Sequence, residues 1–531
     1  MVYLSAFFLV GSLVFWFFDW VGWLVSFFLF SYPWASYPFL AMVDSISMVC
    51  SFMLLCCGFI ALFYCYHYFG GGTEAFWLFL LIVWFLFIMF FLIHSFSLLF
   101  SLILWEYLGL VSFFLILFYS NMVSLRASLV TLFASRFGDV SMFALILWSG
   151  WLLVDCCWIA VGLVMLVILT KSACYPFISW LIEAMRAPTP VSSLVHSSTL
   201  VAAGVWFLLR YSFLLNHSVM SFLLVFCFVT ILISGLSAVV FVDLKKIVAL
   251  STCNNVSWCI VFFICGDLGL SLLQLLTHGV CKCYLFMSVG DLMLGSLGSQ
   301  DSKSVYLSRY FGLFGPMLQY VLVFSLCGLP FLGVFFGKHG LFSSVFYCYG
   351  CTFICFLLLC FTVSYMYSFR FFLMLLGDSL GMPWSYSSNF YSIGFLVLLA
   401  TLLNYFGVVV FFECVSLSSF NSLLILILEF TGCMLGAMSW LGLARVSQSA
   451  STWSSSLWGG DLIVSWFYRS FSFFSSLFVL GLYRWEVFFL KILHNNGSVV
   501  IRSISNNSFL SLNFMVFGIL VLVVLAFLLF C

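Results

Sequence analysis

Runs of apolar residues long enough to cross a membrane follow one another along this chain, and almost no charge interrupts them. A helix needs about 20 consecutive apolar residues to span a ~30 Å hydrocarbon core. The clearest such runs are Ser45 to Tyr66, Phe76 to Ile93, Phe96 to Tyr119, Ser128 to Trp148, Val191 to Leu209, Met220 to Val242, Gly315 to Phe336, Ser392 to Phe412 and Phe509 to Phe530. Only 6% of the 531 residues are charged and 66% are apolar, against about 25% charged in a soluble domain. So few charges cannot cover the surface of a soluble fold of this size, so the main solvent is lipid. Barrel strands are excluded, because the runs are about twice the ~10-residue length of a spanning strand and do not alternate in polarity. The reading is an all-α polytopic membrane protein with about sixteen transmembrane helices.

The formal net charge of +1 gives no nucleic-acid footprint. The 21 cysteines are scattered through apolar runs, where a thiol behaves as a small hydrophobe. Cys281 and Cys283 lack a second pair at zinc-ligand spacing, so they read as packing and no metal site is expected. Phe occurs 70 times and Pro 8 times, a bias that a coding strand rich in T and G would produce, as in small organellar genomes. Met1 to Trp16 carries neither a basic n-region nor an Arg-rich presequence. That fits synthesis inside an organelle, or a bacterial inner-membrane origin.

Charge concentrates in connectors, at Arg126, Arg186, Asp301 to Arg309, and Arg370 with Asp378. Arg445 to Gly460 is a Ser-rich linker. Asp461 to His494 is an apolar segment carrying Arg469, Arg484, Glu486 and Lys491. As a helix it would be about 50 Å long at 1.5 Å per residue, too long to cross upright, so a lateral course along the membrane or neighbouring subunits is expected. Two helices are interrupted by proline, around Lys171 to Trp180 and around Leu326 to Lys338. Paired broken helices point to inverted repeats with a pathway near the bilayer midplane; two ordinary proline kinks are the competing reading.

Five of the seven lysines, Lys171, Lys245, Lys246, Lys282 and Lys338, sit within or at the edge of apolar runs. A charge at a helix centre costs about 2.5–3.5 kcal/mol on insertion scales, so several together need partners, water or a function. Snorkelling to the interface suits Lys245 and Lys246, which lie near a helix start, better than Lys171 and Lys282. Glu106 is flanked by apolar residues for more than a turn on both sides. Such a carboxylate either takes up a proton or finds a cation, and so is a relay candidate; a helix-packing carboxylate pinned by one base is the alternative. Gln274, His278 and Lys282 recur every four residues and line one helix face. His196 lies among hydroxyls after Pro188 and Pro190, and Arg136 and Asp139 can pair across one turn as glue or as relay.

The stretches LTKSACYPFISWLIEAMRAPTPVSSLVHSSTLVAAGV, ILWEYLGLVS, VDLKKIVALSTCNNVSW and THGVCKCYLFMSVGDLM closely resemble the antiporter-like subunits of respiratory complex I. The resemblance is dense from about Asp44 to about Lys338, and the long C-terminal segment favours the subunit 5 branch of that family. It implies N-terminal transmembrane helices over 1–94, a first half-channel over 95–215 and a second over 216–380. Further helices would occupy 381–445, with the linker, lateral helix and anchoring helix over 446–531. It also implies a proton-carrying axis of Glu106, Lys171, Lys245, Lys282 and Lys338, supported by Arg136, Asp139, His196, His278 and His339. Two departures stand out: Gln274 where relatives usually carry a histidine, and Lys338-His339 where they usually carry Lys-Asp, so the distal end loses a carboxylate and gains a histidine.

The function implied is that of a core membrane subunit of proton-translocating NADH:ubiquinone oxidoreductase in the mitochondrial inner membrane. Its partners would be the other membrane-arm subunits of complex I, especially antiporter-like neighbours contacted by the lateral helix, and membrane lipids. The sequence holds no GxGxxG unit, ferredoxin-type cysteine run or haem pattern. No cofactor is therefore expected on this chain, and NADH, FMN, iron-sulfur clusters and ubiquinone are expected in partner subunits. A subunit of a cation/proton antiporter complex and a mainly structural clamp subunit are the alternatives.

Overall fold

The computed structural model describes residues 23–27, 31–32, 35–36, 39–148, 158–295, 300–302, 314–330, 332–348, 350–376, 394, 397, 419–442 and 448–504. The expected spans Ser392 to Phe412 and Phe509 to Phe530 lie outside the described residues, save for positions 394 and 397. Two compact units divide the chain, Met1–Asp461 and Leu462–Cys531.

The first unit is helical, as its apolar runs require. Its helices are α1 (Ser45–Phe69), α2 (Thr73–His94), α3 (Leu98–Ile116), α4 (Met122–Trp148), α5 (Trp158–Lys171) and α6 (Ser179–Ala184). There follow α7 (Thr189–Arg210), α8 (His217–Val240), α9 (Leu244–Ile264) and α10 (Leu268–Gly295). Next come α11 (Phe314–Cys327), α12 (Phe335–Cys348), α13 (Cys351–Leu376), α14 (Ser419–Trp440) and α15 (Gln448–Ser455). Among the described residues, eleven helices are long and apolar enough to cross a membrane. The second unit is dominated by α16 (Gly460–Ile504), 45 residues long, longer than the expected Asp461 to His494.

Before α1 the chain forms two antiparallel ribbons, Trp23–Phe27 with Phe39–Val43 and Ser31–Tyr32 with Ala35–Ser36. An all-helical reading missed them. Helix α1 then starts on a reciprocal cap: Ser47 N–H donates to Asp44 Oδ1 at 2.9 Å and Asp44 N–H donates to Ser47 Oγ at 2.7 Å.

The polarity of the helices runs opposite to that of a soluble protein. The core window of α7 is entirely buried, and those of α9 and α10 are 94% and 89% buried, although these helices carry the serines, histidines and lysines. The outer helix α4 is 33% buried over its window. In lipid the apolar side chain is the exposed one, and a polar group must find protein or water inside.

Both proline interruptions break helices. After Lys171 the helix stops, with Ala173 at φ 52°, and resumes at Ser179. The run Gly315 to Phe336, expected as one span, is split: α11 ends at Cys327, Gly328 turns at φ 92° and α12 starts at Phe335. A Cβ on Gly204 of α7 would lie 2.8 Å from Ser172 N and 3.2 Å from Ile168 O, so the first break rests against bare backbone. Gly204→Ala is expected to cost about 1–3 kcal/mol through overpacking, seen as a lower thermal midpoint for the assembled protein and less of it recovered.

Candidate functional site: buried lysines around one helix

The first broken helix delivers a charged chain built from three helices. Lys171, at the last turn of α5, is fully buried, with Nζ 3.7 Å from Asp139 Oδ1 and 5.1 Å from the centre of the Trp105 ring. Asp139 Oδ2 lies 3.4 Å from Arg136 Nη1, and the same Arg136 nitrogen is paired with Glu106 Oε2. The Arg136–Asp139 pair expected from the sequence is therefore the link between Glu106 and Lys171. Glu106 itself departs from its expected burial. Its side chain is 40% exposed in this chain, on an outer face with Ile103, Tyr107, Phe133, Phe137 and Val140. The apolar flanks that suggested burial are a lipid- or partner-facing surface.

His196 sits in a π-helical turn, Val195–Thr199, within α7, the kind of local widening that recurs at functional sites. Pro190 near the start of α7 and the run of Ser and Thr make the turn possible, because hydroxyls bond back to the carbonyls it frees: Thr199 Oγ1 donates to Leu194 O at 2.8 Å and Ser198 Oγ to the same oxygen at 3.2 Å. The imidazole is fully buried beside Trp180, ring centres 6.2 Å apart.

Helix α9 organises the rest. Lys245, in its first turn, is buried and donates to Ala187 O at 3.3 Å, so the expected snorkelling applies only to Lys246, which pairs with Asp243. Asp243 also bonds the side chain of Asp301, outside the membrane spans, and that contact with a like charge holds the Asp301 carboxyl above its usual range. One turn along α9, Val248 O accepts from Lys282 Nζ at 3.2 Å, and Ser251 Oγ is a second, closer partner. Further along, Trp258 stands under Lys338, 5.5 Å from Nζ to the ring centre, and Ser257 Oγ lies 3.8 Å from Cys174, which is 3.2 Å from Ser172 Oγ beside Lys171. One helix thus touches the surroundings of all four buried lysines.

Gln274, His278 and Lys282 are all buried on α10, as their spacing requires. Lys282 lines a cavity of about 20 Å³ with Ser251, Asn255, Tyr367 and Ser368, room for about one water. Cys327 also lines it and gives its carbonyl to Lys338 Nζ at 2.7 Å, with Ser364 Oγ at 3.3 Å. The Gly328 turn frees that carbonyl, since the helix ends there. Lys338 is further caged by Phe361 and Tyr365, at 5.3 and 5.7 Å from the ring centres.

At the distal end His339 Nε2 lies 3.9 Å from Glu429 Oε1, a carboxylate from α14 that also accepts from Tyr365 Oη at 3.1 Å. The carboxylate absent from the position after Lys338 is thus matched in space by one ninety residues on. The sequence carried the signal, because Glu429 interrupts LLILILEFTGCML as Glu106 interrupts its own run. Arg370, read as a connector charge, is instead buried in α13 and donates to Ala238 O at 2.8 Å and Phe241 O at 3.0 Å, capping α8. Trp105, Trp258 and Tyr365, invisible as functional among so many aromatics, are the groups that enclose the lysines.

Residues 95–363, more than half the chain, match the family of the NADH:quinone oxidoreductase/Mrp antiporter transmembrane region. The chain is 36% identical over 363 residues to NADH-ubiquinone oxidoreductase chain 5 of Aedes aegypti, a match covering 65% of this chain and 59% of that one. It is 34% identical to the chain 5 of Mytilus edulis over 474 residues, covering 82% of this chain and 80% of that one. The chain thus spans about three fifths of the mosquito relative and more of the mussel one. A solved Mrp complex from Dietzia sp. shares the fold, with a TM-score of 0.74 at 21% identity, covering 94% of this chain and 60% of that one. With lysines on two broken helices and this degree of likeness, the chain belongs to the NADH:quinone oxidoreductase/Mrp antiporter membrane family, on its NADH-ubiquinone oxidoreductase chain 5 branch.

Proposed function

We propose that this multi-span protein is a core membrane subunit of a proton-translocating NADH:ubiquinone oxidoreductase of the mitochondrial inner membrane. Protons pass along Glu106, Lys171, Lys245, Lys282 and Lys338, with Arg136, Asp139, His196, His278 and His339 in support. The observation that carries this reading is the unbroken chain Glu106–Arg136–Asp139–Lys171 leading to a helix that touches every later lysine. Asp139 lies between two cations and can favour either. When it leans to Lys171 the ammonium is stabilised; when it leans to Arg136 the Lys171 proton loses its counter-charge and is released.

The magnitudes allow this. An ion pair at 4 Å is worth about 4 kcal/mol at an effective dielectric constant of 20, whereas one proton moved against 100 mV requires about 2.3 kcal/mol. Buried polar atoms supply the rest of the path: both ring nitrogens of His196, Nε2 of His278 and the Gln274 amide meet no hydrogen-bond partner among the described residues. Such groups are ordinarily bridged by ordered water, which also moves protons. Gln274 orients that water without taking a proton itself.

The chain acts without a redox centre of its own, with NADH, FMN, iron-sulfur clusters and ubiquinone in partner subunits. The half-exposed Glu106–Arg136 pair on an apolar face would be costly in lipid, so an antiporter-like neighbour covers it. Helix α16, about 67 Å long at 1.5 Å per residue, runs laterally along such neighbours. The test is Lys171→Ala in the assembled complex, in proteoliposomes, with proton uptake measured per NADH oxidised. A marked fall with assembly retained is expected. Unchanged pumping, with assembly broken only by truncation after Arg445, would point instead to a structural clamp.

A further inference from the structure

Glu429 is the one charged residue of α14 and is only 5% exposed. Leu423, Leu426, Ile427, Phe430 and Met434 of the same helix all face outward. Ile425, Glu429, Gly432 and Gly436 share the opposite face. The two glycines fix how close that face comes to α13. A Cβ on Gly432 would lie 2.8 Å from Thr362 O, and one on Gly436 2.5 Å from Met366 O. The helices therefore touch at backbone distance, and this contact carries the Glu429 carboxylate inward between Tyr365 and His339.

Satisfying Tyr365 does not explain the carboxylate. The phenol already has an acceptor in Gly328 O at 2.5 Å, nearer than Glu429 Oε1 at 3.1 Å. A leucine at this position would pack there without burying a charge. What the carboxylate adds is a proton-accepting oxygen 3.9 Å from His339 Nε2, next in sequence to Lys338, whose ammonium lies 5.7 Å from the centre of the Tyr365 ring. An ammonium, an imidazole, a phenol and a carboxylate from three helices converge here.

We propose that Glu429 is the terminal proton-holding group of the row, exchanging a proton with His339 and facing Lys338 across the Tyr365 side chain that both contact. This rests on the reading that the lysines carry protons. In the step, the imidazolium Nε2–H bond breaks and an O–H bond forms on Glu429 Oε1, leaving a neutral imidazole and a carboxylic acid. No electron moves, and the reverse step restores the charges. The 3.9 Å gap closes by rotation of the carboxylate or through one water.

The test compares Glu429→Gln, Glu429→Asp and Lys282→Ala in the assembled complex in proteoliposomes, reading proton uptake per NADH oxidised and the infrared band of a protonated carboxyl group. Glu429→Gln keeps the volume and an acceptor for Tyr365 but cannot hold the proton. It is expected to slow proton uptake by about 10²-fold, the modest end for a lost positioned carrier because water can partly substitute, and to remove one carboxyl band. Glu429→Asp is expected to recover part of the uptake and the band. Should Glu429→Gln not assemble, Glu429→Met decides, since it keeps the bulk and lacks the carboxyl: slowed uptake with loss of the carboxyl band supports the proposal, and full uptake with an unchanged infrared spectrum overturns it. If Lys282→Ala stops uptake while Glu429→Gln leaves uptake and spectrum unchanged, Glu429 has a packing role only. If neither substitution affects uptake, the lysine row itself is not the path.

Discussion

Lys282→Met in the assembled complex is expected to abolish proton uptake through this chain, by a factor of 10² or more for a lost proton carrier, while leaving the fold intact. The two halves of that expectation have separate causes. Lys282 is buried against Val248 O and Ser251 Oγ and lines the cavity that leads toward Cys327 and the Lys338 carbonyl contact. Among the described residues lining that cavity, none exchanges protons as readily, so its loss opens a gap in the row. Stability is not expected to fall. No carboxylate pairs with Lys282 among the described residues, so an apolar side chain of similar volume strands no counter-charge and relieves the desolvation cost of the ammonium. Proton uptake and NADH oxidation, measured on the same proteoliposomes, check it. Oxidation with undiminished uptake would remove Lys282 from the pathway.

Asp44→Ala is the substitution expected to damage the fold most. Asp44 Oδ2 pairs with Arg210 Nη1 at 2.7 Å, and the Arg210 side chain is only 2% exposed; its Nη2 donates to Ile93 O at 3.0 Å. Removing the carboxylate leaves a buried guanidinium with no counter-charge, which costs about 3–5 kcal/mol. It also removes the cap of α1, worth about 1 kcal/mol. Asp44→Asn separates the two effects, since an amide oxygen still caps the helix but carries no charge. The order of thermal midpoints is expected to be wild type, then Asn, then Ala. If Asp44→Asn and the wild type unfold together, the ion pair contributes nothing and only the cap matters.

The two broken helices, the polar face of Gln274, His278 and Lys282, and the pairing of Arg136 with Asp139 were all legible in the sequence. Each follows from local rules: proline breaks a helix, four residues make a turn, and opposite charges three apart meet. Glu106 shows where such rules stop. Apolar neighbours in sequence mark a membrane helix but do not say which face looks inward, because lipid and protein core demand the same side chains. Lys245 shows the converse, since a lysine near a helix start can reach the interface, and here the turn at Ala187 holds it inside.

By itself the sequence determined that the chain lives in lipid, that it is built of helices, that two of them break, and which few ionisable groups the apolar runs contain. Hydrophobic length and proline are properties of single segments, so no partner is needed to read them. Tertiary structure alone decided which of those groups meet. Helix α9 contributes a lysine of its own, a carbonyl and hydroxyl for Lys282, and a ring for Lys338, and Glu429 comes from ninety residues away to stand by His339. Contacts of that kind depend on which helix faces are pressed together. In a membrane those faces are selected by small residues and close backbone packing, as at Gly204, Gly432 and Gly436, and not by the hydrophobicity that dominates the sequence.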